Sequence, residues 1–177
     1  ITSDKNIKKK FRKKVHFTTI KYIKKIKPDY LFSVLNKKIL PKTCLNKVKK
    51  IALNFHDGPL PKYAGIFSSS WSIVNNEKEH GVCWHKIEKK IDSGDILVEK
   101  KFKIQNNDTA YNIDTKGVMI GLRLFKNIFQ NLKEGNLHFK KQNSKKRSYY
   151  GKKQLFKLIK KIQNDQKNKI LIRSLIV

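Results

Sequence analysis

Ile51-Ala52-Leu53-Asn54-Phe55-His56-Asp57-Gly58-Pro59-Leu60-Pro61-Lys62-Tyr63-Ala64-Gly65 is the stretch on which the fold turns. Ile51 to His56 is a short, mainly apolar run, the pattern of a strand buried on both faces, and it ends on polar groups. Asp57 to Gly65 then crowds Gly58, Pro59, Pro61 and Gly65 into one segment, which stops the strand and predicts a loop. Polar side chains at the carboxyl end of a buried strand, followed by such a loop, sit where open α/β sheets bind ligands. The plainer alternative is that Asn54 and His56 only hydrogen-bond the loop behind them.

Upstream, Tyr22-Ile23 through Ile26 reads as the end of a basic amphipathic helix stopped by Pro28, and Tyr30 to Leu35 as another buried strand. A basic turn and Ile39-Leu40-Pro41 follow. Downstream, a helix is expected from Ser68 through Asn75 around Trp71, then strands over 81–87 and 95–104 with a charged loop between them. Asn107-Asp108-Thr109 can cap a long helix whose apolar face repeats at Val118, Leu122, Phe125, Phe129 and Leu132. Past Gly135 the chain is Lys-rich until two further helical stretches, Leu155 to Ile162 and Ile170 to Val177. Strands alternating with helices imply an α/β sheet.

The chain has 177 residues, enough for one domain with a sizeable core, and a formal charge of +29 from 42 Lys+Arg against 13 Asp+Glu. Such a charge suggests nucleic acid or an anionic surface. Yet residues 54–135 carry twelve Lys/Arg and ten Asp/Glu, so nearly all of the excess lies in two flanks. Only four of the basic residues are Arg (Arg12, Arg123, Arg147, Arg173), whereas nucleic-acid readers favour Arg for bidentate and stacking contacts. A solvated Lys-rich surface is therefore the simpler reading. Cys44 and Cys83 have no metal-ligand spacing and form no disulfide framework, which fits a reducing cytoplasm. No run of about 18 apolar residues and no apolar signal core is present, so neither membrane insertion nor secretion is expected.

One constellation is specific. Asn54-Phe55-His56-Asp57-Gly58-Pro59-Leu60-Pro61-Lys62-Tyr63-Ala64-Gly65, then Trp71, His80-Gly81-Val82 and Asp92-Ser93-Gly94-Asp95-Ile96-Leu97, resembles the catalytic domain of formyltransferases that use 10-formyltetrahydrofolate. That family includes methionyl-tRNA, glycinamide ribonucleotide and sugar N-formyltransferases and formylating domains of peptide synthetases. The resemblance runs from about Pro28 to Leu132, with weaker echoes at Ser148-Tyr149-Tyr150 and Leu171 to Leu175. Alone, Asp92-Ser93-Gly94-Asp95 is equally a simple turn; in this order and spacing it is part of a pattern.

The resemblance implies a Rossmann-like three-layer α/β fold with a mostly parallel sheet, and maps the catalytic trio onto Asn54, His56 and Asp92. Transfer of a formyl group to a primary amine needs donors for the charge that develops on the formyl oxygen, which Asn54 and His56 can supply at a few kcal/mol each. It also needs a proton handler. An imidazole, with an unperturbed pKa of about 6.5, suits His56, and Asp92 can orient it and raise its basicity. No metal is required. The resemblance further implies that Gly58, Pro59, Leu60 and Pro61 pack along the folate and that Ile39 and Leu40 lend backbone groups to the pterin. Loop stiffening is the other use of such prolines.

Residues 1–150 are expected to form the catalytic domain, its opening strand-helix unit missing, and 151–177 a basic linker or C-terminal helical extension. The C-terminal domain of the tRNA enzymes is likewise expected to be absent. Asp57-Gly58 stands where several members have a Ser-Leu type pair and Ala64 where many have Arg, which favours an aminoacyl group or amino sugar as acceptor. The basic flanks suit tRNA. A formyltetrahydrofolate hydrolase and a basic nucleic-acid-binding protein are the rival readings. Tyr63 and Trp71 are expected to pack rather than to touch ligand, Cys44 and Cys83 to be buried, and His80 and His85 to lie at the surface or on the acceptor side.

Overall fold

The computed structural model describes residues 23, 25–36 and 38–164. Its central sheet has four strands: β1 (Tyr30–Ser33), β2 (Ile51–His56), β4 (Glu79–Lys86) and β5 (Ile96–Lys103), in the order β1-β2-β4-β5. Between β2 and β4 lie β3 (Ala64–Gly65) and the helix α2 (Ser68–Val74); α1 (Lys42–Leu45) precedes β2. The long α3 (Ala110–Glu134) follows β5, and the chain returns through β6 (Tyr149–Tyr150) into α4 (Lys152–Asn164). The expected strands and the helix at 68–75 fall within two residues of these bounds. The expected helix at Ile170 to Val177 lies outside the described residues.

An α/β fold is what the structure shows, but its described sheet is not mostly parallel. β1 and β2 are parallel, whereas β2–β4 and β4–β5 are antiparallel. Chain path explains the difference. The segment carrying β3 and α2 stays at the carboxyl end of β2 and re-enters there, so β4 must run back along it; β4 and β5 are then joined directly by residues 87–95.

Alternation along the strands sorts side chains between two faces. Leu53 and Phe55 of β2 and Val82 and Trp84 of β4 pack with Ile128 and Leu132 of α3. Phe32, Trp84, Phe55 and Phe125 meet edge-on or tilted in this core, and the Trp84 indole donates to the Gly121 carbonyl at 3.1 Å. On the opposite face Leu31 packs with Ile23, Leu40 and Cys44. Cys44 and Cys83 are both fully buried, as expected.

α3 begins where the capping signal placed it. Thr109 and Asn112 form a reciprocal capping box, and Gly135, at φ 71°, ends the helix in the left-handed conformation. Its buried line differs from the expected stripe: Phe129 is exposed, while Gly117 and Gly121 are buried. A Cβ at Gly121 would lie 2.1 Å from the Phe55 ring, and one at Gly117 would lie 2.9 Å from Val82. Glycine brings the helix axis close to the sheet, a contact that counting apolar residues does not register. α4 seats Leu158 against Trp71 and Val74 of α2. Among the described residues no helix is long and apolar enough to cross a membrane.

Candidate active site

Period-two alternation puts Asn54 and His56 on the sheet face turned away from α3, and the antiparallel register sets Asn54 opposite His85 and His56 opposite Cys83. The Asn54 amide N–H donates to His85 Nε2 at 3.2 Å. His85 Nδ1–H in turn donates to the Lys86 carbonyl at 2.7 Å; a carbonyl only accepts, so the neutral ring keeps Nε2 as an acceptor. His56 is arranged the other way round. Its Nε2–H donates to the Tyr63 carbonyl at 2.7 Å, leaving Nδ1 facing Asp92 Oδ2 at 3.7 Å and Asp57 Oδ1 at 3.9 Å.

Asp92 closes the group. Its second carboxylate oxygen lies 3.5 Å from His85 Nε2, and Oδ2 accepts the Gly65 N–H at 2.9 Å. Burial opposes its ionisation, but the charge of His56, the neighbouring His85 imidazole and the Gly65 N–H outweigh that and hold the carboxyl down at about 2. The carboxylate is thus ionised throughout the physiological range. Its backbone is held at φ 48°, a left-handed conformation that costs a non-glycine residue about 1–2 kcal/mol and that aspartate tolerates better than most. Two residues on, a Cβ at Gly94 would fall 2.1 Å from the Lys86 carbonyl oxygen, so only glycine fits there.

The loop after β2 is built around His56. A Cβ at Gly58 would lie 2.9 Å from His56 Nε2, 2.9 Å from the Tyr63 carbonyl and 2.8 Å from Ser68 Cβ, so glycine leaves room for the ring and its acceptor. The Asp57 carbonyl accepts from Ser68 Oγ and from His80 Nε2, and Cys83 Sγ donates to the Gly58 carbonyl at 3.6 Å. Burial pushes His80 below the usual imidazole range and the Cys83 thiol up. Tyr63 packs inside, its hydroxyl donating to Glu77 at 2.8 Å, and stacks on Tyr150, which also stacks on Trp71. Beneath the loop, Asp114 of α3 is bonded by Ser69 while its Oδ1 is buried without a partner among the described residues; burial first, and then the charge of Asp57, push it up to about 6.

Asn54, His56 and Asp92, 38 residues apart at the extremes, are therefore brought together. The surface expectation for His80 and His85 is wrong: both are buried, at 1% and 2% exposure, because they lie within β4, which is buried continuously from residue 80 to residue 85. His85 is the member of the group that sequence reading missed. The signal that finds it is strand register, which sets it across from Asn54. Of the residues expected along a cosubstrate, Leu60 and Leu40 have buried side chains, Pro59 and Pro61 are half-buried and Ile39 is exposed. Among the described residues no three His, Cys, Asp or Glu side chains are placed to hold a metal ion.

Comparison with known proteins converges on one family. Residues 2–125 match the family model described as formyl transferase. A bifunctional polymyxin resistance protein ArnA from Wigglesworthia glossinidia brevipalpis is 40% identical over 97 residues, covering 55% of this chain and 15% of that protein. A methionyl-tRNA formyltransferase from Caldanaerobacter subterraneus subsp. tengcongensis is 31% identical over 127 residues, covering 72% of this chain and 41% of that protein. The N-formyltransferase from Helicobacter canadensis, solved with folinic acid and dTDP-3-aminofucose, superposes with a TM-score of 0.64 at 35% identity, over 70% of this chain and 45% of its own. The chain spans less than half the length of each of these relatives. With the family model matching over two thirds of its residues, the chain belongs to the formyl transferase family.

Proposed function

We propose that this chain transfers a formyl group from 10-formyltetrahydrofolate to a primary amine. The observation that carries the reading is the hydrogen-bonded array at the end of β2: Asn54 on His85, His85 beside Asp92, and His56 Nδ1 turned toward Asp92. In this reaction a C–N bond to the amine forms and the bond from the formyl carbon to N10 breaks. One proton leaves the attacking nitrogen and one arrives at N10. Neutral His56, its proton on Nε2, offers Nδ1 to take the first and return the second. The imidazolium formed in between faces the ionised Asp92 at 3.7 Å, with Asp57 beside it at 3.9 Å. Asn54 commits one amide N–H to His85, which fixes the carboxamide's orientation, and its second N–H serves the formyl oxygen as charge grows there.

The half-buried Pro59 and Pro61 form a wall for the folate, with backbone groups of Gly58, Leu60, Ile39 and Leu40 completing the contact. Residues 1–150 make up the catalytic unit, in a Rossmann-like three-layer arrangement, and the chemistry belongs to the cytoplasm, where the cosubstrate is expected. An amino sugar is the favoured acceptor: the Helicobacter canadensis neighbour was solved with dTDP-3-aminofucose. The 31% identity to a methionyl-tRNA formyltransferase makes methionyl-tRNA the second acceptor to try. The test is tetrahydrofolate release from 10-formyltetrahydrofolate by the full chain, with dTDP-3-aminofucose, with methionyl-tRNA and with no amine. Amine-dependent release is expected. Release that is equal without amine would make the protein a hydrolase, and no release would refute the reading.

A further inference from the structure

Residues 136–164 hold no acidic side chain and ten Lys/Arg, and read by composition they are solvated surface. Two of their side chains do something else. Arg147 Nη1 donates to the Asp92 carbonyl at 3.0 Å and its Nη2 to the Ile91 carbonyl at 2.6 Å. Gln142 Nε2 donates to the Asp92 carbonyl at 3.2 Å and to the Gly94 carbonyl at 2.6 Å. Three of four successive carbonyls of the loop bearing Asp92 are thus fastened by two side chains from a segment about fifty residues away. The fastened residue is the one held at φ 48°.

Geometry gives the fastening a direction. Arg147 reaches the loop from the turn just before β6, and β6 pairs in parallel with β3, whose Gly65 N–H binds the Asp92 carboxylate. One short segment therefore controls Asp92 from both ends, its backbone through Gln142 and Arg147 and its side chain through the β3 strand it supports. Guanidinium suits the task because its rigid fork spans two adjacent carbonyls, which a lysine ammonium cannot do in fixed geometry. Both residues lie beyond the stretch matched by the family model, residues 2–125.

We propose that Gln142 and Arg147 are positioning residues that hold the left-handed backbone of Asp92 and so aim its carboxylate between His56 and His85. Gly65 supplies a reporter. In the β3–β6 ladder Ala64 N–H binds Ser148 O and Ile66 N–H binds Tyr150 O, whereas the Gly65 N–H between them binds only the Asp92 carboxylate. Amide hydrogen exchange on the full chain, wild type against the double variant Gln142→Ala/Arg147→Ala, separates aim from attachment. Exchange at Gly65 should accelerate by at least about tenfold with Ala64 and Ile66 unchanged, and Arg147→Lys alone should give an intermediate rate. An unchanged Gly65 would overturn the proposal; equal acceleration at all three amides would reduce the pair to fasteners of β6 and overturn it too. A second arm rests on the formyl-transfer reading: kcat should fall while KM for 10-formyltetrahydrofolate holds, with partial rescue of Arg147→Ala by guanidinium ion. The exchange arm needs no turnover, so a protein that passes it yet transfers no formyl group would contradict the function and not the positioning.

Discussion

Asp114→Asn should stabilise this protein in a manner that depends on pH. Asp114 is a half-buried residue of α3, one carboxylate oxygen on Ser69 and the other buried without a partner among the described residues, close enough to Asp57 to feel its charge. Its folded pKa is about 6, against an ordinary value of 3.8. Because the folded value is the higher, the folded state holds the proton longer as pH rises. Stability from this group is complete below pH 3.8 and is lost as pH climbs through about 6. The gap of about two units, at 1.36 kcal/mol each, caps the loss at about 3 kcal/mol. Asparagine keeps the shape and an acceptor for Ser69 but cannot ionise. Urea unfolding of both proteins at half-unit steps from pH 4 to pH 8 should therefore show the variant gaining on the wild type across pH 4–6, by up to about 3 kcal/mol, with a plateau above pH 7. A difference that does not move with pH, or a variant that loses ground as pH rises, would refute the assignment of a costly buried charge to this carboxyl.

Asp92 should show the opposite sign. Its folded pKa, about 2, lies below 3.8, so its contribution of about 2 kcal/mol is present above pH 4 and fades as pH falls toward 2; Asp92→Asn should be destabilised by about that much at pH 7 and progressively less in acid, in the same urea series. Gly121→Ala puts a methyl 2.1 Å from the Phe55 ring, and overpacking of this kind should cost about 1–3 kcal/mol or more in urea unfolding at neutral pH. Gly58→Ala crowds His56 Nε2 and its Tyr63 acceptor at 2.9 Å, so it should lower formyl transfer at least about tenfold while the far-UV circular dichroism spectrum is retained.

What sequence reading reached and missed follows from the range of each signal. The strand at Ile51 to His56, its breaker-rich loop and the capping of α3 at Thr109 are local, set by neighbours within a few residues. The grouping of Asn54, His56 and Asp92 was legible only as a linear pattern shared with a family. His85 was lost because its place depends on which strand pairs with which, in which direction: parallel pairing of β2 and β4 would put another residue across from Asn54. The same long-range information decides the sheet's mixed character. Gly117 and Gly121 were invisible to a search for apolar periodicity, since they build the contact by having no side chain. Gln142 and Arg147 were hidden in a lysine-rich stretch whose composition speaks for solvent, although two of its side chains end on backbone carbonyls of the Asp92 loop.

The central claim, that the Asn54–His56–Asp92 group moves a formyl group to an amine, is tested most directly by isotope transfer. The full chain, as wild type and as Asp92→Asn, is incubated with tetrahydrofolate carrying a 13C-labelled formyl group on N10 and with dTDP-3-aminofucose, and the label is followed by NMR and mass spectrometry. The account predicts 13C in an amide bond on the acceptor with wild type, and a rate at least about tenfold lower with Asp92→Asn while folate binding persists. Label that stays on the folate, leaves as free formate, or reaches the amine equally fast with Asp92→Asn would contradict it.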